Sequence, residues 1–179
     1  MEPNTYHDTR GLNAGRPRFT QVIVKGIADG GGLFVPDNLP RLELAEILAF
    51  AELPYWQRAA TVLGRLGVDL APERVESLMR DAYGAQFDDE RIAPVVEVRP
   101  DIHVLELWHG PTSAFKDMAL QCMPLFFSAA IDDLQASGEL EDDFLVLVAT
   151  SGDTGKAALE GFADRAHTKI VVFYPAEGV

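Results

Sequence analysis

Residues 144–155 read Phe-Leu-Val-Leu-Val-Ala-Thr-Ser-Gly-Asp-Thr-Gly. The first half, Phe144–Ala149, is a continuous apolar run of strand length, the pattern of a parallel strand buried on both faces. It runs into Ser151-Gly152-Asp153-Thr154-Gly155, small residues that turn a chain and cap a helix. The pattern predicts a helix from Lys156 to about Arg165 and a second buried strand from Lys169 to Tyr174. Strand, helix and strand at this spacing form a βαβ unit with a right-handed crossover. The predicted fold class is therefore α/β.

A small-residue turn between a buried strand and a helix is where open α/β sheets bind ligands. Gly152 and Gly155 allow close approach of ligand and backbone. Free amides at the helix start would face a carboxylate or phosphate, and Ser151 and Thr154 add hydroxyls. The same residue types serve turning and capping alone, and the turn by itself leaves both readings open. A nucleotide phosphate loop, G-x-x-x-x-G-K-[ST], can be laid on Thr150 to Ala157. Gly155 and Lys156 fit it. Thr150 replaces the first glycine and Ala157 replaces the magnesium-binding hydroxyl, so the loop could neither turn nor ligate the metal in the usual way. No G-x-G-x-x-G pattern is present for a dinucleotide.

Upstream, residues 109–117 read His-Gly-Pro-Thr-Ser-Ala-Phe-Lys-Asp. Gly110 and Pro111 make a loop, Thr112 or Ser113 is a candidate N-cap, and a helix is expected from about Ser113 to Leu134. Its apolar residues include Ala114, Phe115, Met118, Cys122, Met123, Phe126 and Phe127. Lys116 then falls in a first turn, where a cation is disfavoured by a few tenths of a kcal/mol. A helix dipole and apolar bulk would ease the loss of its proton, which Schiff-base chemistry requires. From position alone, a plain surface lysine is the competing reading.

Earlier segments are helical and turn-rich. Gly26–Pro40 is a loop wrapped around Leu33-Phe34-Val35. Helices are expected over Leu42–Leu53, ended by Pro54, over Tyr55–Leu66, and from Pro72 to about Tyr83. The β-branched stretch Phe19–Lys25 suits a strand or a short helix, and periodicity does not decide. Short strands are expected at Val95–Val98 and His103–Leu107. The first ninety or so residues thus read as a mostly helical unit, and the composition changes after it.

A net charge of −13 argues against nucleic acid and against an anionic membrane surface. It permits an anionic small molecule bound by backbone amides and local cations. The single cysteine, Cys122, excludes an internal disulfide and reads as core. Met1 to Arg16 has no apolar h-region, and no apolar run spans a bilayer, so a cytoplasmic protein is the default. His7, His103, His109 and His167 do not fall at metal-ligand spacing, and no metal is expected. Asp132-Asp133 and Glu139–Asp143 read as a solvated acidic connection around Gly138.

Four stretches, in order, resemble the threonine synthase family of type II (tryptophan-synthase-β-like) pyridoxal-phosphate enzymes. Tyr6-His7-Asp8-Thr9-Arg10-Gly11 is similar to the family's Tyr-x-Ser-Thr-Arg-Gly, with His7-Asp8 departing from it. Gly32-Leu33-Phe34-Val35-Pro36 is similar to Gly-Leu-Phe-x-Pro. Glu106 through Asp117 resembles the cofactor-lysine segment, with Trp108 where Phe is usual. Ala149 through Gly155 resembles the substrate loop. The last two are the specific ones.

The resemblance implies a mostly helical N-terminal domain over 1–93, followed over 94–179 by the beginning of the catalytic βαβ core. It implies a helix at Phe19–Lys25. It also implies that O-phosphohomoserine and water become threonine and phosphate. Lys116 would hold pyridoxal 5'-phosphate and later act as general base, with Phe115 and Asp153 beside the cofactor. Asp153, nearest the 3-hydroxyl, would share one proton with it. Ser151, Gly152, Asp153, Thr154 and Gly155 would grip the substrate carboxylate. His109 would bind phosphate or order its loop; a packed or capping histidine is the competing reading. Lys156 reads as a residue of a solvated helix face, with a pull on substrate phosphate as the alternative, and Asp117 as a dipole-favourable acid. The family's chain continues beyond this length, through a second glycine-rich loop that cradles the cofactor phosphate. The expectation is thus an N-terminal part of a monomeric or homodimeric enzyme, inactive by itself and a weak binder of cofactor. A threonine or serine dehydratase and a non-catalytic module that keeps the fold are the alternative functions.

Overall fold

The computed structural model describes residues 3–12, 15–150 and 152–177. In chain order the elements are β1 (Tyr6–Asp8), α1 (Phe19–Lys25), β2 (Phe34–Pro36), α2 (Leu44–Ala49) running into a 3-10 turn (Phe50–Glu52), α3 (Tyr55–Arg65), α4 (Pro72–Ala82), β3 (Val95–Arg99), β4 (Ile102–Leu105), α5 (Asp117–Leu120), α6 (Met123–Ala136), β5 (Phe144–Ala149), α7 (Asp153–Phe162) and β6 (Thr168–Phe173). The chain forms two compact units: Met1–Met79 with Ala129–Glu141, and Arg80–Ser128 with Asp142–Val179.

In the first unit, β1 and β2 pair antiparallel, Tyr6 opposite Pro36 and Asp8 opposite Phe34. This gives the apolar centre of the glycine-rich loop its partner. Gly32 is required there, since a Cβ would lie 2.7 Å from Asp8 Oδ1. Buried Asn4 ties three segments together. Its Nδ2 donates to the carbonyls of Asn38 and Leu66 at 2.6 and 3.1 Å, and its backbone N–H donates to Gly67 at 2.8 Å.

The undecided stretch Phe19–Lys25 is a helix. Asp69 settles it by accepting the Thr20 N–H at 2.9 Å and the Thr20 hydroxyl at 2.8 Å, which satisfies free groups of the first turn. Pro72 opens α4 as its first residue, where its missing N–H costs nothing. The acidic connection is not merely solvated. Arg74 reaches Asp132 and Asp133 at 2.7 and 2.6 Å, and Glu139 accepts from Arg18 and Gln21 at 2.7 Å each. These are surface contacts, weakened by solvent and salt screening.

In the second unit, β3 and β4 form a hairpin with a register shift between Glu97 and Arg99. β5 and β6 are parallel, Phe144 opposite Thr168 and Ala149 opposite Phe173, with α7 as the crossover. The sheet is buried on one face only, contrary to the continuous apolar reading. Phe144, Val146, Val148, Ile170 and Val172 are half-buried, while Leu145, Leu147, Val171 and Phe173 are exposed. The first turns of α6 and helix α7 cover the former set. Phe127 meets Phe144 and Phe162 edge to face, with centroids 5.3 and 6.1 Å away.

The expected long helix from Ser113 to Leu134 is broken. α5 has four residues, and α6 begins only at Met123. Pro124 explains the break, because a proline is tolerated in a helix's first turn but not in its interior. Helix α7 begins at Asp153, three residues before the expected start, and ends at Phe162. Cys122 is largely buried, and desolvation pushes its thiol up to about 11.

Candidate functional site

The loop before α5 is organised by Asp117, which is fully buried. Its Oδ2 accepts the Thr112 N–H at 2.9 Å, and its Oδ1 accepts the Thr112 hydroxyl at 2.7 Å. Neither Thr112 nor Ser113 is therefore an N-cap. Thr112 is the partner of a buried carboxylate, and Ser113 turns the chain with φ +58°. Gly110 leaves room for that carboxylate, since a Cβ would lie 2.5 Å from Asp117 Oδ2. The sequence reading treated Asp117 as a dipole acid. The signal it passed over was a local donor, Thr112, five residues ahead.

Lys116 sits just before α5 with α-region dihedrals and is half-buried. The long helix dipole invoked for it from sequence is absent, because only one short turn follows. Its Nζ stands 4.3 Å from the centroid of the Phe115 ring. Phe115 is 58% exposed, so it is not a core residue.

His109 is clamped. Its Nε2 lies 2.8 Å from Glu106 Oε2, its Nδ1 lies 2.5 Å from Asp88 Oδ1, and its carbonyl accepts the Asp88 N–H at 3.0 Å. With the side chain 14% exposed, both ring nitrogens are engaged by carboxylates. Donation from its ring to Glu106, and then to Asp88, raises its pKa above the ordinary histidine value. A raised pKa means stability present below the unfolded value near 6.5 and lost as pH rises through the folded value. Asp89, held down to about 2 by Arg91, stays ionised beside the clamp throughout this range. The protection factors of amides in residues 84–92, which remove the general rise of exchange with pH, should therefore fall between neutral and alkaline pH, and His109→Gln should flatten that dependence. An unchanged profile in the variant would remove the clamp from the account.

At the second motif, Gly152 and Asp153 are exposed, Thr154 is half-buried and Gly155 is buried; Ser151 lies outside the described residues. Gly152 has open space where a Cβ would stand, and Asp153 begins the ten-residue α7. Gly155 has a packing reason instead, since a Cβ there would overlap Thr150 Cγ2 and lie 2.9 Å from Val172 Cγ1. Lys156 does not serve only a solvated face. Its Nζ donates to the Thr112 carbonyl at 2.7 Å.

A cleft of about 760 Å³, within the usual range for small-molecule sites, is lined by Pro111 and Thr112 from the lysine loop and by Gly152, Asp153 and Lys156 from the turn. The structure thus brings the two motifs to one cleft, with Lys116 four residues beyond Thr112. Lys116 itself, His109, Phe115 and Thr154 are not among the residues lining it. Among the described residues, no group of three or more His, Cys, Asp or Glu could hold a metal ion, and no helix is long and apolar enough to cross a membrane.

The chain is of the α/β class, with a βαβ crossover and with its lysine loop bonded to the crossover helix α7. Residues 5–83 match the family model described as the threonine synthase N terminus. Threonine synthase of Pseudomonas aeruginosa is 36% identical over 171 residues, covering 95% of this chain and 35% of that protein. Human threonine synthase-like 1 is 37% identical over 169 residues, covering 90% of this chain and 22% of that protein. The pyridoxal-phosphate-bound threonine synthase of Brucella melitensis superposes with a TM-score of 0.84 at 34% identity, over 96% of this chain and 36% of that one. The chain is thus similar to threonine synthases over nearly its whole length, and residues 5–83 to the N terminus of that family. It spans between about a fifth and about a third of the length of these relatives.

Proposed function

We propose that the Lys116 loop and the turn at residues 151–155 are two walls of a pyridoxal-phosphate-dependent site. In this reading the enzyme is a cytoplasmic threonine synthase, converting O-phospho-L-homoserine and water to L-threonine and phosphate. Residues 1–93 are its N-terminal domain, and residues 94–179 open the cofactor domain. The observation that carries this reading is the shared cleft, in which Thr112 of the lysine loop faces the same space as Gly152 and Asp153 of the turn.

The groups present fit the cofactor. Lys116 offers a primary amine on an ordered loop, Asp153 a carboxylate for the ring's 3-hydroxyl edge, and the start of α7 a set of amides for an anion. When bound, pyridoxal phosphate supplies an electron sink for proton removal beside the amino-acid carbon. Lys116 would carry it, with Phe115 alongside. The freed ε-amine of Lys116 is the base for the protons on Cα and Cβ of the substrate. Gly152, Asp153 and Thr154, with Ser151 and Gly155, would hold the substrate carboxylate at the helix start. His109 orders its loop, both ring nitrogens being engaged by Glu106 and Asp88.

The full-length protein that carries this sequence should release phosphate and threonine from O-phosphohomoserine in equal amounts when supplied with the cofactor. Ammonia and a 2-oxo acid without phosphate would assign a dehydratase instead. No product from folded, cofactor-loaded protein would assign a non-catalytic module.

A further inference from the structure

Lys156 occupies the first turn of α7, where the macrodipole disfavours a cation. Lys156 is an exposed residue, and its ammonium reaches across to the carbonyl of Thr112, forty-four residues away in sequence, at 2.7 Å. Thr112 is thereby held on three sides, because its N–H and hydroxyl are both bound to the buried carboxylate of Asp117. Between Thr112 and Lys116 the chain passes through Ser113 at φ +58°, a conformation that a non-glycine residue adopts only when its surroundings impose it.

We propose that Lys156 is a positioning residue: with Thr112 and Asp117 it fixes the lysine loop to the strand–helix turn, and so sets where the ε-amine of Lys116 stands relative to substrate held at Gly152–Gly155. An ammonium-to-carbonyl bond is charge-assisted and stronger than a neutral one. Its chaining through Thr112 to a buried carboxylate lets each bond strengthen the next. The small dipole cost of a lysine in that turn is offset by this bond. The inference rests on the reading of Lys116 as the cofactor lysine.

The test uses the full-length protein loaded with pyridoxal phosphate, and the variant Lys156→Met, which keeps the stem and removes the donor. Amide exchange in residues 112–116 should quicken by about tenfold or more, the effect expected from losing a charge-assisted bond. Exchange in α3 should not change. Turnover should fall by about tenfold while KM for O-phosphohomoserine moves by less than about threefold. Lys156→Arg, which also donates, should recover most of the protection. Unchanged exchange at 112–116 would overturn the proposal. So would a variant with normal turnover but raised KM and weakened inhibition by inorganic phosphate, which would make Lys156 a substrate-phosphate contact. If exchange quickens as expected but the parent protein takes no cofactor on Lys116, the loop coupling stands and the functional reading fails.

Discussion

On the proposed function, replacing Lys116 by alanine in the full-length protein should lower turnover of O-phosphohomoserine by ~10³-fold or more, because the variant would lack the group that carries the cofactor and moves the protons. The fold survives the change. Lys116 is half-buried at the edge of a four-residue helix, and the contact it gives up, with the exposed Phe115 ring, is worth about 0.5–1 kcal/mol. Lys116→Arg sharpens the result, since it keeps the positive charge and the ring contact. A guanidinium stays protonated and cannot serve as the amine, so Lys116→Arg should be as inactive as Lys116→Ala. Steady-state kinetics with circular dichroism on both variants checks this. An active Lys116→Arg protein would reduce Lys116 to a charge.

Gly161→Ala carries the largest effect on stability. Helix α7 approaches α5 so closely at Gly161 that a Cβ would overlap the carbonyl oxygen of Leu120, with Pro124 Cγ 3.2 Å away. A backbone carbonyl cannot swing aside as a side chain can, so α5 and the start of α6 must move as a piece. Overpacking of this kind costs about 3 kcal/mol, or a fall of about 6–12 °C in Tm for a chain of this size. Gly64→Ala in α3 is the control. It has nothing within 4 Å of its Cβ position, and the change should be neutral or stabilising by up to about 1 kcal/mol. Because α5 directly follows Lys116, Gly161→Ala should also lower activity in whatever fraction remains folded. Equal melting temperatures for the two variants would contradict the close approach of α5 and α7.

The βαβ unit was legible because two apolar runs of strand length are separated by a turn of small residues and one helix-length segment. Burial of both sheet faces was not, since Leu145 and Leu147 look the same in sequence whether or not something covers them. The break at Cys122 was readable in principle from Pro124, but the apolar spacing on both sides of it suggested one continuous helix. Phe19–Lys25 was undecidable locally because the group that stabilises its first turn, Asp69, lies forty-nine residues away. Lys116 and the 151–155 turn stood out as motifs in family order. The residues that hold them did not. Lys156 and Thr112 are far apart in the chain, and a lysine on a helix surface has no sequence mark that tells a carbonyl partner from solvent. His109 is similar, with Glu106 within local reach but Asp88 twenty-one residues upstream.

Lys116 as the point of cofactor attachment is the central claim, and reduction with borohydride tests it most directly. The full-length protein, loaded with pyridoxal phosphate, reduced and digested, should carry the pyridoxyl mass on the peptide containing Lys116. A label on Lys25, Lys156 or Lys169 instead, or no label on a folded protein that still forms threonine, would contradict it.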